Sequence, residues 1–270
     1  MFVSESSKPR RILIPSLSLA QHAQEFPITL PEEFSKHVGR VLRMKEGELL
    51  EVCDGEACRW LTRIVQSDHD AVVCVFVERL PDAPRPFPIY LAQAMPKADK
   101  FEMILKHGTE IGISGFFPFF SERCVVKLKP NKVAQKMARW EKIVREAARQ
   151  CQRADIPTLC EPATSKSLGA VLPQDAVRVV CWEGATSLDL KGWLSQLQPG
   201  TFQAVVVVIG PEGGFSTEEA ELLAQDGALV GLGPLILRTE TAGLATAATL
   251  QFALGCFGGE HEGALFCSNE

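Results

Sequence analysis

The stretch Ala204-Val205-Val206-Val207-Val208-Ile209-Gly210-Pro211-Glu212-Gly213-Gly214-Phe215-Ser216-Thr217-Glu218-Glu219 decides the architecture of this 270-residue chain. A continuous β-branched run reads as a strand buried on both faces, the habit of parallel sheets covered by helices. It ends directly in a glycine-rich loop. Ser216-Thr217-Glu218-Glu219 then has the S/T-x-x-E form of a capping box, so a helix is predicted from Ser216. The loop therefore joins the carboxyl end of a strand to the start of a helix, where open α/β sheets bind ligands. On spacing alone, a plain strand-to-helix turn explains the same glycines.

The loop is no phosphate cradle. It lacks both the GxGxxG spacing and the GxxxxGK[ST] lysine, and Glu212 would repel phosphate. A cationic or neutral ligand is favoured: the glycines let backbone approach a flat group and Pro211 stiffens the loop. Downstream, Leu232-Gly233-Pro234-Leu235-Ile236-Leu237-Arg238-Thr239-Glu240-Thr241-Ala242 leads into a helix of small residues from Gly243 to Gly255. Arg238 and Glu240 fit either a local ion pair capping that helix or a pocket role; spacing does not rank the two.

Further strand-like runs at Ile89 to Ala94, Phe116 to Phe120, Val177 to Cys181 and Ala228 to Leu232 alternate with helical patterns, the signature of a mostly parallel α/β sheet. Val133, Met137, Trp140, Val144, Ala147 and Cys151 form one helical stripe, which makes Trp140 a core residue before it is a stacking platform. Pro81, Pro84, Pro86 and Pro88 mark a linker, 81–88, since so many prolines fit neither a helix nor a central strand. Residues 1–80 before it show short β-rich segments at Arg11 to Ile14, Glu48 to Cys53, Trp60 to Val65 and Ala71 to Val77, with Asp54-Gly55 as a hairpin turn. One helix opens at Pro31-Glu32-Glu33 and offers Val38, Val41 and Leu42 as its apolar stripe. A small β-barrel with one helix fits, followed by an α/β domain over 89–257 and a patternless, mobile tail from Gly258 to Glu270.

Hydrophobic residues make up 46% and charged residues 23%, which is the composition of a globular chain and excludes a disordered one. No apolar run approaches the roughly 20 residues of a membrane span, and the N-terminus has no signal-peptide core, so a cytoplasmic protein with no membrane partner is expected. Nine cysteines, an odd number without CxxC spacing, and five scattered histidines predict reduced thiols and no metal. The net charge of −5 conceals an asymmetry: from Lys127 to Arg153 there are nine basic residues against Glu141 and Glu146. Because charges are screened beyond about 8–10 Å at physiological salt, a phosphate backbone responds to such a patch more than to the acidic remainder. A solvated helix face is the competing reading.

GPEGGFSTEE at 210 to 219 and LGPLILRTETA at 232 to 242 resemble the two signature segments of the RsmE family, the 16S ribosomal RNA uridine-N3 methyltransferases of the SPOUT superfamily. The likeness extends to His37-Val38-Gly39-Arg40-Val41-Leu42-Arg43, to Ser121-Glu122-Arg123-Cys124 and to Glu146-Ala147-Ala148-Arg149-Gln150-Cys151. It covers the chain except its extreme N-terminus, which is longer and more polar than in relatives, and the tail after about Phe257. The resemblance implies a PUA-like barrel for RNA, a SPOUT-type α/β domain threaded as a trefoil knot, S-adenosylmethionine as cofactor and a homodimer. It assigns the cofactor to Ile209, Gly210, Pro211, Glu212, Gly213, Gly214, Leu232, Gly233, Leu235, Ile236, Leu237, Thr239, Thr241 and Ala242. It assigns 16S ribosomal RNA, within the small subunit, to Arg10, Arg11, His37, Arg40, Arg43, Arg123, Arg149 and Arg153.

Uridine N3 carries a proton under cellular conditions, so methyl transfer needs a base or cations that stabilise the anion over O2, N3 and O4. Arg238 is the first candidate as a permanent cation, with Glu240 orienting it or accepting the proton. The rivals are a non-catalytic ribosome-assembly factor, against which both intact segments count, and an NAD or ATP enzyme, which would need the missing phosphate loop.

Overall fold

A computed structural model describes residues 9–15, 17, 27–56, 58–68, 71–81, 87–198 and 200–256. Pro84 and Pro86 of the expected linker, the polar N-terminal stretch 1–8 and the tail 258–270 lie outside the described residues. The chain divides into two compact units, 1–85 with 148–156, and 86–147 with 157–270.

The first unit is a five-stranded sheet made by β1 (Arg10–Leu13), β2 (Ile28–Thr29), β3 (Leu49–Cys53), β4 (Arg59–Ser67) and β5 (Val72–Leu80), in the order β1-β3-β4-β5-β2. β1 runs parallel to β3 and the remaining pairs are antiparallel. Gly55, at φ +88°, turns the chain between β3 and β4 as the Asp-Gly pair leads one to expect. Alternating inward residues, among them Ile12, Leu50, Val52, Trp60 and Ile64, build the core.

Helix α1 (Glu32–Lys36) continues directly as a π-helical turn, His37–Val41. Leu42 N bonds His37 O at 2.9 Å, so the wider turn rotates Val41 off the core. The expected stripe is therefore corrected at one position: Val38 is fully buried, whereas Val41 is 68% exposed.

The second unit carries the parallel sheet, in the order β12-β10-β11-β6-β7-β8 with β9 also on β7. Its strands are β6 (Ile89–Ala94), β7 (Gly115–Phe120), β8 (Thr158–Leu159), β9 (Ala163–Thr164), β10 (Ala176–Cys181), β11 (Ala204–Ile209) and β12 (Gly227–Val230). Every residue of β11 is buried, as its unbroken apolar run requires. The helices are α2 (Lys100–Ile111), α3 (Pro130–Gln150), α4 (Ser165–Val171), α5 (Leu190–Leu194), α6 (Thr217–Leu223) and α7 (Thr239–Ala253). Met137, Trp140, Val144 and Ala147 of α3 are buried, and Trp140 packs edge-on against Phe101 at 4.7 Å. Residues 148–156, which sequence reading leaves in the C-terminal domain, pack into the first unit, where Ala148 and Ala154 join Leu13 and Cys53. Among the described residues, no helix is long and apolar enough to cross a membrane.

Candidate active site

Three loops and one helix start enclose a cleft of about 780 Å³ at the carboxyl ends of the parallel strands. Residues 209–215 follow β11, 231–239 follow β12, 181–189 follow β10, and Lys100 begins α2 after β6. Every residue assigned to the cofactor by resemblance lines this cleft except Thr241. The helix expected from Gly243 begins four residues earlier: the Arg238 carbonyl accepts from the amides of Thr241 and Ala242, both at 2.8 Å, so Thr241 sits exposed on the first turn.

The glycine loop is held from several sides. Gly214 N closes a turn onto Pro211 O at 3.0 Å, and Gly214 has φ +64°; a β-carbon there would meet Glu183 Oε1 at 2.2 Å. The left-handed backbone favours glycine, while the Glu183 carboxylate, at the end of a flexible side chain, could swing aside. Arg123 Nη1 donates to Gly213 O at 3.0 Å and Phe215 O at 3.3 Å. Thr239 Oγ1 donates to Gly210 O at 2.5 Å and accepts from Gln93 Nε2 at 2.9 Å. The two signature segments are thus tied to one another and to β6.

Ser216 caps α6 by accepting from Glu219 N at 3.2 Å, which typically contributes about 1 kcal/mol. The capping box is half formed, a correction to the sequence reading. Glu219, 2% exposed, instead turns its carboxylate to the segment after β7, accepting from Ser121 Oγ at 2.8 Å and Glu122 N at 3.0 Å. A buried carboxylate needs full hydrogen bonding, and the Ser121-Glu122 turn supplies more of it than the helix end could.

At one side of the cleft, Lys100 Nζ lies 3.1 Å from Glu212 Oε1 and 3.0 Å from Glu240 Oε2. Glu212 Oε1 also accepts from Lys97 N at 3.0 Å. Burial opposes ionisation of Glu212, but the Lys97 amide and the Lys100 ammonium outweigh it and hold its pKa below the ordinary value. Glu240 behaves alike: burial is outweighed by its own amide, by Lys100 and by the nearby Arg238 charge. Lys100 is held protonated by Glu240 and Glu212 in turn. The capping ion pair between Arg238 and Glu240 is absent among the described residues, because Glu240 pairs with Lys100. Arg238 stays exposed at the cleft as the N-cap residue of α7.

Neither Lys100 nor Glu183 was picked out by motif. The switch-point rule finds both, since each follows the carboxyl end of a strand, β6 and β10.

The basic candidates separate by partner. In the first unit, the π-helical turn carries His37 and Arg40, and Arg10 Nη1 bonds the Leu42 carbonyl. Arg43 adopts φ +53° beside Arg40. Arg149, exposed at the end of α3, lies close enough to His37 that burial first and its charge second lower the imidazole pKa. Arg11 and Arg153 find partners within the first unit. Arg11 Nε bonds buried Glu51 at 2.8 Å and its Nη1 reaches Gln152 O, so its guanidinium knits the unit together. Arg153 grips Asp155 at 2.7 and 3.1 Å with its side chain only 10% exposed. Arg123, as described, binds the glycine loop. Among the described residues, no group of three or more His, Cys, Asp or Glu is placed to hold a metal.

The two units correspond to two matched family models that together define an RNA methyltransferase. Residues 83–251 match the family described as RNA methyltransferase domain, and residues 30–77 match the RNA methyltransferase PUA domain. The chain is 34% identical over 231 residues to ribosomal RNA small subunit methyltransferase E of Bacillus subtilis, covering 83% of this chain and 90% of that protein. It is 31% identical to the Mycobacterium tuberculosis enzyme of the same name, over 76% of this chain and 79% of that one. The crystal structure of the Neisseria gonorrhoeae ribosomal RNA small subunit methyltransferase E bound to S-adenosyl methionine superposes with a TM-score of 0.75 at 25% identity, over 91% of this chain and 98% of that one. The chain belongs to the ribosomal RNA small subunit methyltransferase E family.

Proposed function

We propose that this protein uses S-adenosylmethionine to methylate N3 of a uridine in 16S ribosomal RNA of the small subunit. The observation that carries the reading is the cleft itself, in which two ionised carboxylates, a glycine turn and the Arg238 guanidinium converge without any phosphate cradle. These residues fit the donor. Glu212 and Glu240 suit a cation, the backbone of 210–214 and 232–237 suits an adenosine, and Leu235 and Ile236 add apolar surface. When bound, S-adenosylmethionine supplies an electrophilic methyl group on a positively charged sulfur.

The chain's own part is to make the uracil ring a nucleophile. Arg238 stabilises the negative charge that develops over O2, N3 and O4 as the N3 proton leaves. Glu240, kept ionised beside Lys100 and Arg238, is the carboxylate at hand to orient these cations and to take the N3 proton. The trefoil threading belongs to the same reading. The first unit, with His37, Arg40, Arg43 and Arg149, is read as the RNA anchor. Cytoplasmic ribosomal particles are the expected substrate.

A homodimer completes the reading. Leu235 (74% exposed) and Ile236 (82%) leave apolar surface at the cleft, and Phe252 (73%) leaves more near the end of α7, which a second copy would cover. Sedimentation of wild type and Phe252→Glu tests it: a wild-type dimer that the variant splits supports the reading, and a wild-type monomer at micromolar concentration opposes it. For the activity, calorimetry with S-adenosylmethionine and S-adenosylhomocysteine in chelator should show metal-independent binding. No binding of either, with and without RNA, would end the proposal.

A further inference from the structure

A second cavity, about 320 Å³, lies on the far side of the segment that carries Lys97 and Lys100. Met95, Phe101 and Trp140 give it an apolar floor, while Lys129, Lys132 and Lys136 stand at its rim. Lys129 and Lys132 make no ion pair among the described residues, and Lys136 reaches Glu102 only at 3.8 Å. A rim of unspent ammonium groups over an apolar floor calls for a ligand that is flat and anionic at once.

Glu102 narrows the choice. Its Oε2 accepts from Arg139 at 2.6 Å, while buried Oε1 has no hydrogen bond and only the Lys136 ammonium, 3.8 Å away, as an ion-pair partner. A buried acceptor left unmet costs free energy, and a ligand bearing an N–H donor relieves that cost. Arg139 and Lys136 offset the carboxylate charge, so a phosphate at the rim is tolerated.

The wall shared with the cleft sets the position. Lys97 N bonds Glu212 in the cleft, whereas the next residue, Ala98, held at φ +55°, lines the second cavity. Lys100 faces the cleft while Phe101 and Glu102 face the cavity, so the two sites lie on different faces of the first turn of α2. Left-handed backbone at a non-glycine residue is uncommon and clusters at functional sites.

We infer that this cavity takes a nucleotide of the RNA strand adjacent to the target uridine, its base on the Phe101–Trp140 floor with an N–H toward Glu102 Oε1, and its phosphate at Lys129 and Lys132. The inference rests on the proposed methylation of RNA. It deepens it by naming a second anchoring point, which fixes the target's register in the cleft.

The test has two arms. Full-length protein labelled with 5-fluorotryptophan, with Trp140 assigned through Trp140→Phe, is titrated by 19F NMR with each of the four ribonucleoside 5′-monophosphates and with inorganic phosphate. At least one nucleotide should shift the Trp140 resonance, phosphate alone should not, and Lys132→Glu should abolish the shift. Separately, Lys132→Glu should raise KM for ribosomal RNA about tenfold, the order expected for one lost charge-assisted contact. The same charge change at exposed Lys166 on α4 should leave KM alone. Failure of all four nucleotides to move Trp140, or an equal response to phosphate, overturns the inference, and so does an equal KM for the Lys132 and Lys166 variants. A protein that binds S-adenosylmethionine yet methylates no RNA defeats the parent reading instead, whatever the NMR arm reports.

Discussion

The hydroxyl of Thr239 donates to the carbonyl of Gly210 at 2.5 Å, and this one bond joins the loop after β11 to the first residue of α7. Both partners sit at the cleft, and Gln93 Nε2 completes the hydroxyl from the buried end of β6. The shape of the donor site is therefore set by a polar link that a hydrophobic residue of the same size cannot make.

Thr239→Val should cost about 1–3 kcal/mol, because it leaves the Gly210 carbonyl and one of the two Gln93 amide N–H groups unmet in a largely buried place, the other still donating to Ala94 O. In a chain of this size that is a fall in Tm of roughly 2–4 °C per kcal/mol. S-adenosylmethionine affinity should drop with it, and Thr239→Ser should restore both. Calorimetry and thermal unfolding of the two variants check the expectation.

Lys100→Met should make donor binding sensitive to mild acid. In the wild type the ammonium helps keep Glu212 and Glu240 ionised below the usual carboxylate range. Without it, burial raises both pKa values, so the charge that attracts the sulfonium is lost at a higher pH than before. Dissociation constants measured across pH should diverge between variant and wild type as pH falls and converge as it rises; parallel curves would remove Lys100 from this role.

Glu51 gives the first unit a comparable acid dependence. Burial opposes its ionisation, yet Arg59 and Arg11 pull its pKa below the ordinary value, so it stabilises the fold fully above the unfolded pKa and less as pH falls through the folded one. Arg11→Ala should therefore lower stability at neutral pH by about 1.5–3 kcal/mol, the range for hydrogen bonds to a charged group, and blunt the loss on acidification. Unfolding by urea at several pH values tests this. A variant of normal stability but weakened RNA binding would return Arg11 to the RNA surface.

How far the sequence could be read follows from how local each cause is. The β11 run and the Ser216 cap depend on residues close in sequence, and they stand where the pattern put them. Glu219 does not obey the capping box, because its carboxylate finds Ser121 and Glu122 some ninety-seven or ninety-eight positions away. Charge counting along the chain likewise separates Arg149, which stays exposed, from Arg11 and Arg153 only once Glu51 and Asp155 are placed beside the latter two. The π-helical widening that exposes Val41 has no signature in a pattern tuned to 3.6 residues per turn. Lys100 was legible in principle from its place after β6, but no motif marks it.

Arg238→Ala should lower the methylation rate far more than it lowers RNA affinity. Losing one preorganised donor to a developing anion typically costs about 2.7–4 kcal/mol, or roughly 10²–10³ in rate, whereas a phosphate contact acts mainly on affinity. Single-turnover reactions at saturating RNA and donor isolate the rate, and raising pH should recover part of it. A normal saturated rate with weak RNA binding would reassign Arg238 to docking.

The most direct measurement is nucleoside mass spectrometry of small-subunit particles taken from a strain lacking this protein and incubated with the purified enzyme and isotopically labelled S-adenosylmethionine. One labelled 3-methyluridine per 16S ribosomal RNA, sharply reduced with Arg238→Ala, is the expected result. No label in the RNA, or label on any atom other than uridine N3, would contradict the proposed reaction.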